Sequence, residues 1–561
     1  MLQVLKPFLN RSIMKRFFPS CEWIVQHPHL LLAITLCGGL LLRLYGIGFG
    51  LPHVYDPDEP VSVDTAVSML VTHDLNPHWF GWPGTTLVYM LSALFAGIFL
   101  VGRWLGVFES TGHLRELFFQ DPTMLYLSGR VLLAVVGVAS ICVAYVIARR
   151  LFNRPTALIG AMLLALSPLH VFYSKLNRPD ILLTFLILAT FWSCLEILER
   201  QAWSGYVLAG LFAGLGIATK YPAASVAPVI VMAHLLSGPW RWTGLLKLLV
   251  CGVVGVLGAF VGSPFLFLDF RTALLDAVAK NYPRHLSGTG EGLIQNLMWH
   301  VQGPLVEAVS IGGLVLAGIG TVLAMASRQK DRWLLLAFSG VFLVFMASLN
   351  LRWERWMVPI VPFLCMLAAH ACHWTAVKIG ERWDDRIGRV AGCILVLVIA
   401  VPLLGADILQ GREMSGSDTR TLAKEWMMKH VPAGSRVLLE RYTPQFPRDL
   451  YTFLQVRHGQ VVEVDVRDIP TALFRPREVI GRLKDTDALV TGLVTGKVES
   501  MALSDWYDRY SAEKEKYADY PQIVATYDAL MSMGTKVYEV KRVRGESRGP
   551  TIRVYRFEKK D

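Results

Sequence analysis

The chain has 561 residues, of which 53% are hydrophobic and 18% are charged. With a mean hydropathy of +0.43, this composition excludes an ordinary soluble enzyme and is typical of a polytopic membrane protein. The formal net charge of +11 does not indicate a nucleic-acid partner, because the basic residues form short clusters between apolar runs, as topology signals do. We expect membrane lipid to be the partner of these clusters.

Eleven apolar runs are predicted to be transmembrane helices. The first run follows an amino-terminal tail, residues 1–29, and it contains Arg43 and lacks a small-residue cleavage site. We therefore expect it to remain as a signal anchor. The runs lie at 30–47, 126–148, 155–173, 180–198, 205–219, 222–237, 248–268, 301–326, 333–349, 357–377 and 390–409.

A twelfth uncharged segment, residues 83–102, is also long enough to span, and its placement decides the side on which every later loop lies. If it lies along the outer surface, five basic clusters share one face, which is then the cytoplasmic face. We therefore predict a plasma (inner) membrane protein with a cytoplasmic amino terminus and an extracytoplasmic carboxy-terminal domain. The clusters are Lys6/Arg11/Lys15/Arg16, Arg149/Arg150/Arg154, Arg241/Lys247, Arg328/Lys330/Arg332 and Arg382/Arg386/Arg389.

This orientation puts a long loop, residues 48–125, on the outer face. Within it, residues 60–72 predict an amphipathic helix that lies flat on the membrane, with Ser62 outside its apolar stripe. The stripe is formed by Val63, Ala66, Val67 and Leu70.

Two adjacent carboxylates, Asp58 and Glu59, come just before this helix. One interpretation is structural, because an acid at this position caps the first turn, which Pro60 also favours. The other is functional, because paired acids at the mouth of a membrane domain suit proton abstraction or cation binding. Local sequence leaves both open.

The composition changes after about residue 410, so we predict a transmembrane domain at 30–410 and a soluble α/β domain at 411–561. A helix begins near Ser415 and stops at Pro432. No phosphate-binding glycine loop, metal-ligand spacing or nucleophile elbow occurs in this domain, so we expect it to position an acceptor. Strands are predicted at 436–440, 487–494, 536–541 and 551–557, and a helix near 521–533.

An ordered set of motifs over residues 30–370 resembles the GT-C class of glycosyltransferases, and within it glycosyltransferase family 39. That family includes protein O-mannosyltransferases, and the lipid A aminoarabinose transferases are close relatives. The motifs are Pro57-Asp58-Glu59 before a surface helix, Trp82-Pro83, Ser-Pro-Leu-His-Val-Phe-Tyr-Ser (167 to 174), Arg178-Pro179-Asp180, Gly214-Leu-Gly-Ile-Ala-Thr-Lys220, Ser263-Pro264-Phe265, and Arg355 ahead of Pro359 and Pro362. The closing Gly549-Pro550-Thr-Ile-Arg-Val-Tyr-Arg556 resembles bacterial members with an outer soluble domain.

The resemblance implies a GT-C-like fold and transfer of a sugar, with inversion, from a polyprenyl-phosphate donor to a hydroxyl at the outer face. It implies that Asp58 is the base, and a carboxylate can take the acceptor proton when the sugar carbon is oxocarbenium-like. The departing phosphate needs cationic donors, for which Arg355 is the first candidate and Lys220 the second. Asp180 would orient the acceptor or, with Glu59, offset these cations.

Each of these candidates also has a structural alternative. Asp180 could cap the helix that follows Pro179. Lys220 could snorkel to the membrane surface. Arg355 could be structural, either paired with Glu354 or fixed at the membrane interface.

The histidines His53 and His285 fall on the same predicted face and could contact an acceptor or, with Glu59, a divalent metal. Their spacing matches no metal motif. Oligosaccharyltransferases of the class use a divalent cation, whereas the resemblance to protein O-mannosyltransferases implies none, so no cofactor is predicted and a metal stays an open alternative. The aminoarabinose transferases carry Glu-Lys-Pro where this chain has Gly81-Trp82-Pro83, so that glutamate and lysine are missing here.

Two other classes of protein remain. A transporter or flippase of lipid-linked sugars would also carry outer acids and bases, although the long acidic loop has no counterpart later in the chain, as an internal repeat would require. The other alternative is a membrane scaffold without enzymatic activity. For a transferase, the acceptor could be a protein, a lipid or a polysaccharide of the cell envelope, and the donor sugar is equally open.

Overall fold

The computed structural model describes residues 27–81, 84–238, 242–279, 290–440, 446, 452–457, 460–463, 500–503, 528, 531–532 and 534–557. Residue contacts divide the chain into two compact units. The described residues of the first unit lie within Met1–Ile47, Asp56–Arg284 and Thr289–Ile408, and those of the second within Gly48–Tyr55 and Leu409–Asp561.

The first unit is helical. Its helices are Pro28–Leu44, Glu59–Thr72, Thr85–Trp104, Thr111–Gln120, Thr123–Leu151, Arg154–Ala165, Pro168–Tyr173, Pro179–Arg200, Trp203–Thr219, Ala227–Ser237, Trp242–Gly262, Phe265–Leu268, Phe270–Ala279, Leu293–His300, Val306–Ala326, Lys330–Ala347, Val361–Arg382 and Asp385–Ser415, the last of which continues into the second unit. Short 3₁₀ turns occur at Tyr221–Val226 and Glu354–Ile360, and a π-turn at Val301–Leu305.

All eleven apolar runs predicted from the sequence are helical in the described residues. Two runs are broken at a proline: 155–173 divides before Pro168, and 248–268 divides around Pro264, because the ring removes a backbone donor. Seven helices of the described residues are long and apolar enough to cross a membrane. Thr85–Trp104 is one of them, so the surface position of 83–102 and the count of 11 spans stay predictions.

The surface helix predicted at 60–72 is observed as Glu59–Thr72. Val63, Ala66 and Val67 are buried, which confirms the apolar stripe. Ser62, which we expect outside the stripe, is also buried.

Small residues bring two helices of the first unit into close contact. On Trp203–Thr219, a Cβ added to Gly214 would overlap the backbone carbonyl oxygen of Gly255 on Trp242–Gly262. A Cβ on Gly258 would in turn lie 2.8 Å from the carbonyl oxygen of Leu211. Such packing of small residues allows helix backbones to approach closely in a membrane, where the hydrophobic effect does not drive association.

The second unit contains a helix, Thr419–His430, and a sheet. Asp418 caps the helix, since its side chain accepts a hydrogen bond from the backbone N–H of Arg420. The described strands are β1 (Arg436–Glu440), β2 (Thr452–Arg457), β3 (Gln460–Glu463), β4 (Ser500–Leu503), β5 (Thr535–Val540) and β6 (Ile552–Arg556).

The described strands form one mixed sheet in the order β3-β2-β1-β4-β6-β5. β1 pairs in parallel with β2 and β4, and the other pairings are antiparallel. The predicted strands at 436–440, 536–541 and 551–557 are confirmed, as is the α/β class of this unit. The strand predicted at 487–494 and most of the helix predicted at 521–533 fall outside the described residues.

The glycine contact gives a testable prediction. We expect Gly214→Ala to lower the thermal midpoint of the protein in detergent, because overpacking costs about 1–3 kcal/mol and a backbone carbonyl cannot rotate away. Gly252→Ala is the matched control, since a Cβ there has no atom within 4 Å and gains the same helix propensity. Equal midpoints for the two variants would contradict the close packing.

Candidate active site

The loop that precedes helix Glu59–Thr72 is organised by Asp56. Its Oδ1 accepts hydrogen bonds from the backbone N–H groups of Asp58, at 3.0 Å, and Glu59, at 3.2 Å. Asp58 occupies the N-cap position but makes no side-chain capping bond. The capping interpretation of Asp58 is therefore wrong, because Asp56 performs this role and leaves the Asp58 carboxylate to interact elsewhere. Sequence reasoning did not single out Asp56.

The Asp58 carboxylate forms ion pairs with two arginines. Its Oδ2 lies 2.5 Å from Nη2 of Arg178 and 3.6 Å from Nη2 of Arg355. Asp58 is 25% exposed and Arg355 is 17% exposed. The guanidinium of Arg355 also lies 4.6 Å from the ring centroid of Trp353, which holds it from another side. Among the described residues, the ion pair of Arg355 is thus with Asp58 and not with Glu354.

Arg178 is the residue shared by the acidic groups. Besides Asp58, its guanidinium lies 3.3 Å from Oδ2 of Asp56 and 3.8 Å from Oδ2 of Asp180. Burial lowers the pKa of Arg178, but the negative charges of Asp56 and Asp58 raise this pKa by a larger amount. The net shift is upward, so the guanidinium stays charged. Its backbone is extended, as expected for a residue that precedes proline, at the start of helix Pro179–Arg200.

Asp180 and Lys220 form a second, more deeply buried ion pair. Nζ of Lys220 lies 2.6 Å from Oδ1 of Asp180. The other oxygen, Oδ2, has no hydrogen-bond partner among the described residues, although Arg178 lies within ion-pair range. The N-cap residue of the helix is Arg178 and not Asp180, and the side chain of Lys220 is only 10% exposed. The capping and snorkelling alternatives therefore do not describe these two residues.

Glu59 lies apart from this cluster and is completely buried. Its carboxylate accepts hydrogen bonds from Nη2 of Arg130, at 2.6 Å, and Nε of Arg130, at 2.8 Å. The backbone N–H of Asn177 donates to the same carboxylate at 2.8 Å. Glu59 thus ties its helix to Thr123–Leu151 and to the segment just before Arg178. Sequence analysis did not identify Arg130, which lies 71 residues away.

The structure describes one of the two predicted histidines. His53 lies in the second unit, 5.6 Å from Tyr55 by ring centroids. Burial, and then the charge of Lys424, lower its pKa, while Asp418 opposes them. His285 falls outside the described residues. Among the residues that the structure describes, no group of three or more His, Cys, Asp or Glu side chains is placed to bind a metal ion.

Comparison with known proteins identifies the class of enzyme. Residues 124–267 match the family described as dolichyl-phosphate-mannose-protein mannosyltransferase. The chain is 24% identical to the lipopolysaccharide core galacturonosyltransferase RgtA of Rhizobium johnstonii over 426 residues, which is 73% of this chain and 77% of RgtA. It is 30% identical to the undecaprenyl phosphate-alpha-4-amino-4-deoxy-L-arabinose arabinosyl transferase of Pseudomonas aeruginosa over 233 residues, which is 40% of this chain and 38% of that protein.

The fold has a solved counterpart in ArnT from Cupriavidus metallidurans, with a TM-score of 0.53 and 13% identity over 96% of this chain and 98% of ArnT. The predicted GT-C-like membrane fold with a small carboxy-terminal sheet is thereby confirmed. The resemblance to the protein O-mannosyltransferases and aminoarabinose transferases is also confirmed, and the protein is a multi-span membrane glycosyltransferase. The transporter and scaffold alternatives gain no support from these relatives.

The buried Glu59 gives the prediction of this section. We expect Glu59→Gln to destabilise the protein by about 3–5 kcal/mol, because it leaves the Arg130 charge buried without a counter-charge. Glu381→Gln is the control, since Glu381 pairs with Lys378 at an exposed site where an ion pair contributes about 0–1 kcal/mol. Thermal unfolding of both variants in detergent tests the difference, and matching midpoints would contradict it.

Proposed function

We propose that the protein transfers a sugar from a polyprenyl-phosphate donor to an acceptor hydroxyl, with Asp58 as the base and inversion at the anomeric carbon. The observation that carries this proposal is the position of Asp58. It is the most exposed of the three clustered aspartates, and two guanidinium groups flank it. The family match and the relatives support a lipid-linked donor.

The reaction needs a base more than an acid. As the acceptor oxygen forms its bond to the anomeric carbon, its proton passes to the Asp58 carboxylate. The bond between the anomeric carbon and the phosphate oxygen breaks, and polyprenyl phosphate leaves with the electron pair. A phosphate leaves without protonation if cations lie over its oxygens. Attack from the side opposite the leaving group inverts the configuration.

Arg355 is the best candidate to contact that phosphate. It lies 3.6 Å from a carboxylate, whereas Lys220 lies 2.6 Å from Asp180 and Arg178 lies 2.5 Å from Asp58. Arg355 is therefore the least neutralised of the three cations, and its side chain is more exposed than that of Lys220. A guanidinium can also bind two phosphate oxygens at once.

The other charged residues are assigned positioning roles. Arg178 holds Asp58 in place, and Asp180, which is itself paired with Lys220, holds Arg178. Lys220, the second candidate for a direct phosphate contact, is thus assigned a supporting role. Glu59 fixes the start of the helix that follows Asp58. A base supported in this way keeps the geometry that proton transfer requires.

The reaction is assigned to the outer face of the plasma membrane. The support is the distribution of basic clusters in the sequence, which places the Asp58 loop opposite the cytoplasm. A hydroxyl of a cell-envelope protein, lipid or polysaccharide would be the acceptor. The polyprenyl chain would stay in hydrocarbon, because exposing it to water is costly.

Asp58→Asn separates catalysis from structure. Because Asp58 makes no capping bond and Arg178 keeps its ion pairs with Asp56 and Asp180, the variant should still insert and fold, with a lower thermal midpoint because Arg355 loses its ion pair. Loss of a positioned base should lower the transfer rate by about 10²–10⁴-fold. The rate would be measured in membranes from cells whose envelope glycans, compared by mass spectrometry with and without the protein, have identified the product.

Arg355→Ala in the same assay should behave differently, with weakened use of the donor at low donor concentration and weakened binding of undecaprenyl phosphate. Asp58→Asn should leave that binding intact. Full transfer by a well-expressed Asp58→Asn variant would refute the assignment of the base, and unchanged donor dependence in Arg355→Ala would refute the phosphate contact.

Orientation is tested at the two ends of helix Asp385–Ser415. Cysteines introduced at the exposed positions Glu381 and Lys429, in a background without native cysteines, report the two sides of the membrane. In spheroplasts, an impermeant maleimide should label Lys429→Cys directly and Glu381→Cys only after permeabilisation. The reverse pattern would place the carboxy-terminal unit in the cytoplasm.

A further inference from the structure

The segment Gly48–Tyr55 leads directly into the proposed catalytic loop, yet its contacts place it in the second unit, with Leu409–Asp561. The chain passes from the second unit to the first between Tyr55 and Asp56. Whatever holds Tyr55 in the second unit therefore sets the starting point of the residues that carry Asp58.

Tyr55 is held mainly by Arg420. Nη1 of Arg420 donates a hydrogen bond to the backbone carbonyl of Tyr55 at 3.1 Å, and its guanidinium lies 3.9 Å from the centroid of the Tyr55 ring. The Tyr55 hydroxyl is 2.8 Å from Oγ1 of Thr421. One arginine and its neighbour thus restrain both the backbone and the ring of Tyr55.

Arg420 is itself fixed. Asp418 accepts hydrogen bonds from its Nε, at 2.7 Å, and its Nη2, at 2.9 Å, and both side chains are buried. Gly549 approaches Asp418 so closely that a Cβ would lie 2.6 Å from Oδ1, and its φ of +112° is one that L side chains rarely adopt. The glycine at position 549 thereby leaves room for the Asp418–Arg420 fork.

The carbonyl held by Arg420 belongs to the peptide bond that joins Tyr55 to Asp56. The side chain of Asp56 then accepts hydrogen bonds from the backbone N–H groups of Asp58 and Glu59. The residue with that carbonyl is thus directly followed by the residue whose side chain organises the backbone of Asp58. A displacement at Tyr55 would pass along these bonds to the base.

We infer that Arg420 is a positioning residue through which the carboxy-terminal unit sets the backbone of the catalytic loop. This inference rests on the proposed role of Asp58. It assigns that unit a part in the chemistry in addition to any role in presenting an acceptor.

Arg420→Lys tests the inference, because lysine keeps the charge but cannot form the fork to Asp418 and the Tyr55 carbonyl together. The control is Arg542→Gln, which removes an arginine ion pair of the same unit, with Glu413, away from Tyr55. Hydrogen exchange measured by mass spectrometry on the full-length protein reports the amides of Asp58 and Glu59. We expect Arg420→Lys to speed their exchange and Arg542→Gln to leave it unchanged.

The transfer rate gives the second measurement. A misplaced base should lower the rate by about 10- to 100-fold in Arg420→Lys, with undecaprenyl phosphate binding unchanged. In an Asp58→Asn background the same substitution should change the rate by less than about twofold, because a residue that acts through Asp58 has nothing left to position. Thr421→Val, which removes only the bond to the Tyr55 hydroxyl, replaces Arg420→Lys if that variant does not fold.

Unchanged exchange at Asp58 and Glu59 would overturn the inference. The inference would also be overturned if Arg420→Lys lowered the transfer rate equally in the wild-type and Asp58→Asn backgrounds, because that result would mean a general structural effect. If Asp58→Asn alone keeps full activity, the proposed base is wrong, but the exchange measurement still decides whether Arg420 positions the loop.

Discussion

Charge neutralisation inside a membrane domain is the constraint on which the candidate site depends. A carboxylate removed from water is stable only beside a cation or several hydrogen-bond donors. Three aspartates here share Arg178, and two of them have a further cation, Lys220 for Asp180 and Arg355 for Asp58. The loop and helices that carry these residues must therefore come together for any of the charges to be buried.

The same constraint separates two adjacent acids. Asp58 and Glu59 are neighbours in the sequence, but Glu59 is enclosed by Arg130 and Asn177, whereas Asp58 keeps part of its surface open. Helix geometry causes this, because residues that follow each other at a helix start point in different directions. One acid of the pair can then serve the fold while the other stays accessible to a substrate.

Local sequence patterns predicted the helices and several of the strands, because apolar runs and turn residues are local signals. They also identified Asp58, Asp180, Lys220 and Arg355 as candidates through an ordered set of motifs. They did not identify Arg130 or the capping role of Asp56, because the partners of a buried charge depend on contacts between distant segments. For the same reason, sequence reasoning could not distinguish a cap from a base at Asp58, and it did not predict β2, β3 or β4.

The composition of the charge cluster has a consequence for the energetics of the proposed reaction. Asp56, Asp58 and Asp180 against Arg178, Lys220 and Arg355 give a formal sum of zero before substrate arrives. When the sugar–phosphate bond breaks, the phosphate gains one negative charge, and Asp58 gains one proton in the same step. The total charge of the cluster and its substrates is then identical in the reactant and product complexes, so turnover moves one negative charge from Asp58 to the phosphate without adding a net charge to the site. Discharge of that proton to water after the lipid phosphate departs would restore the starting state.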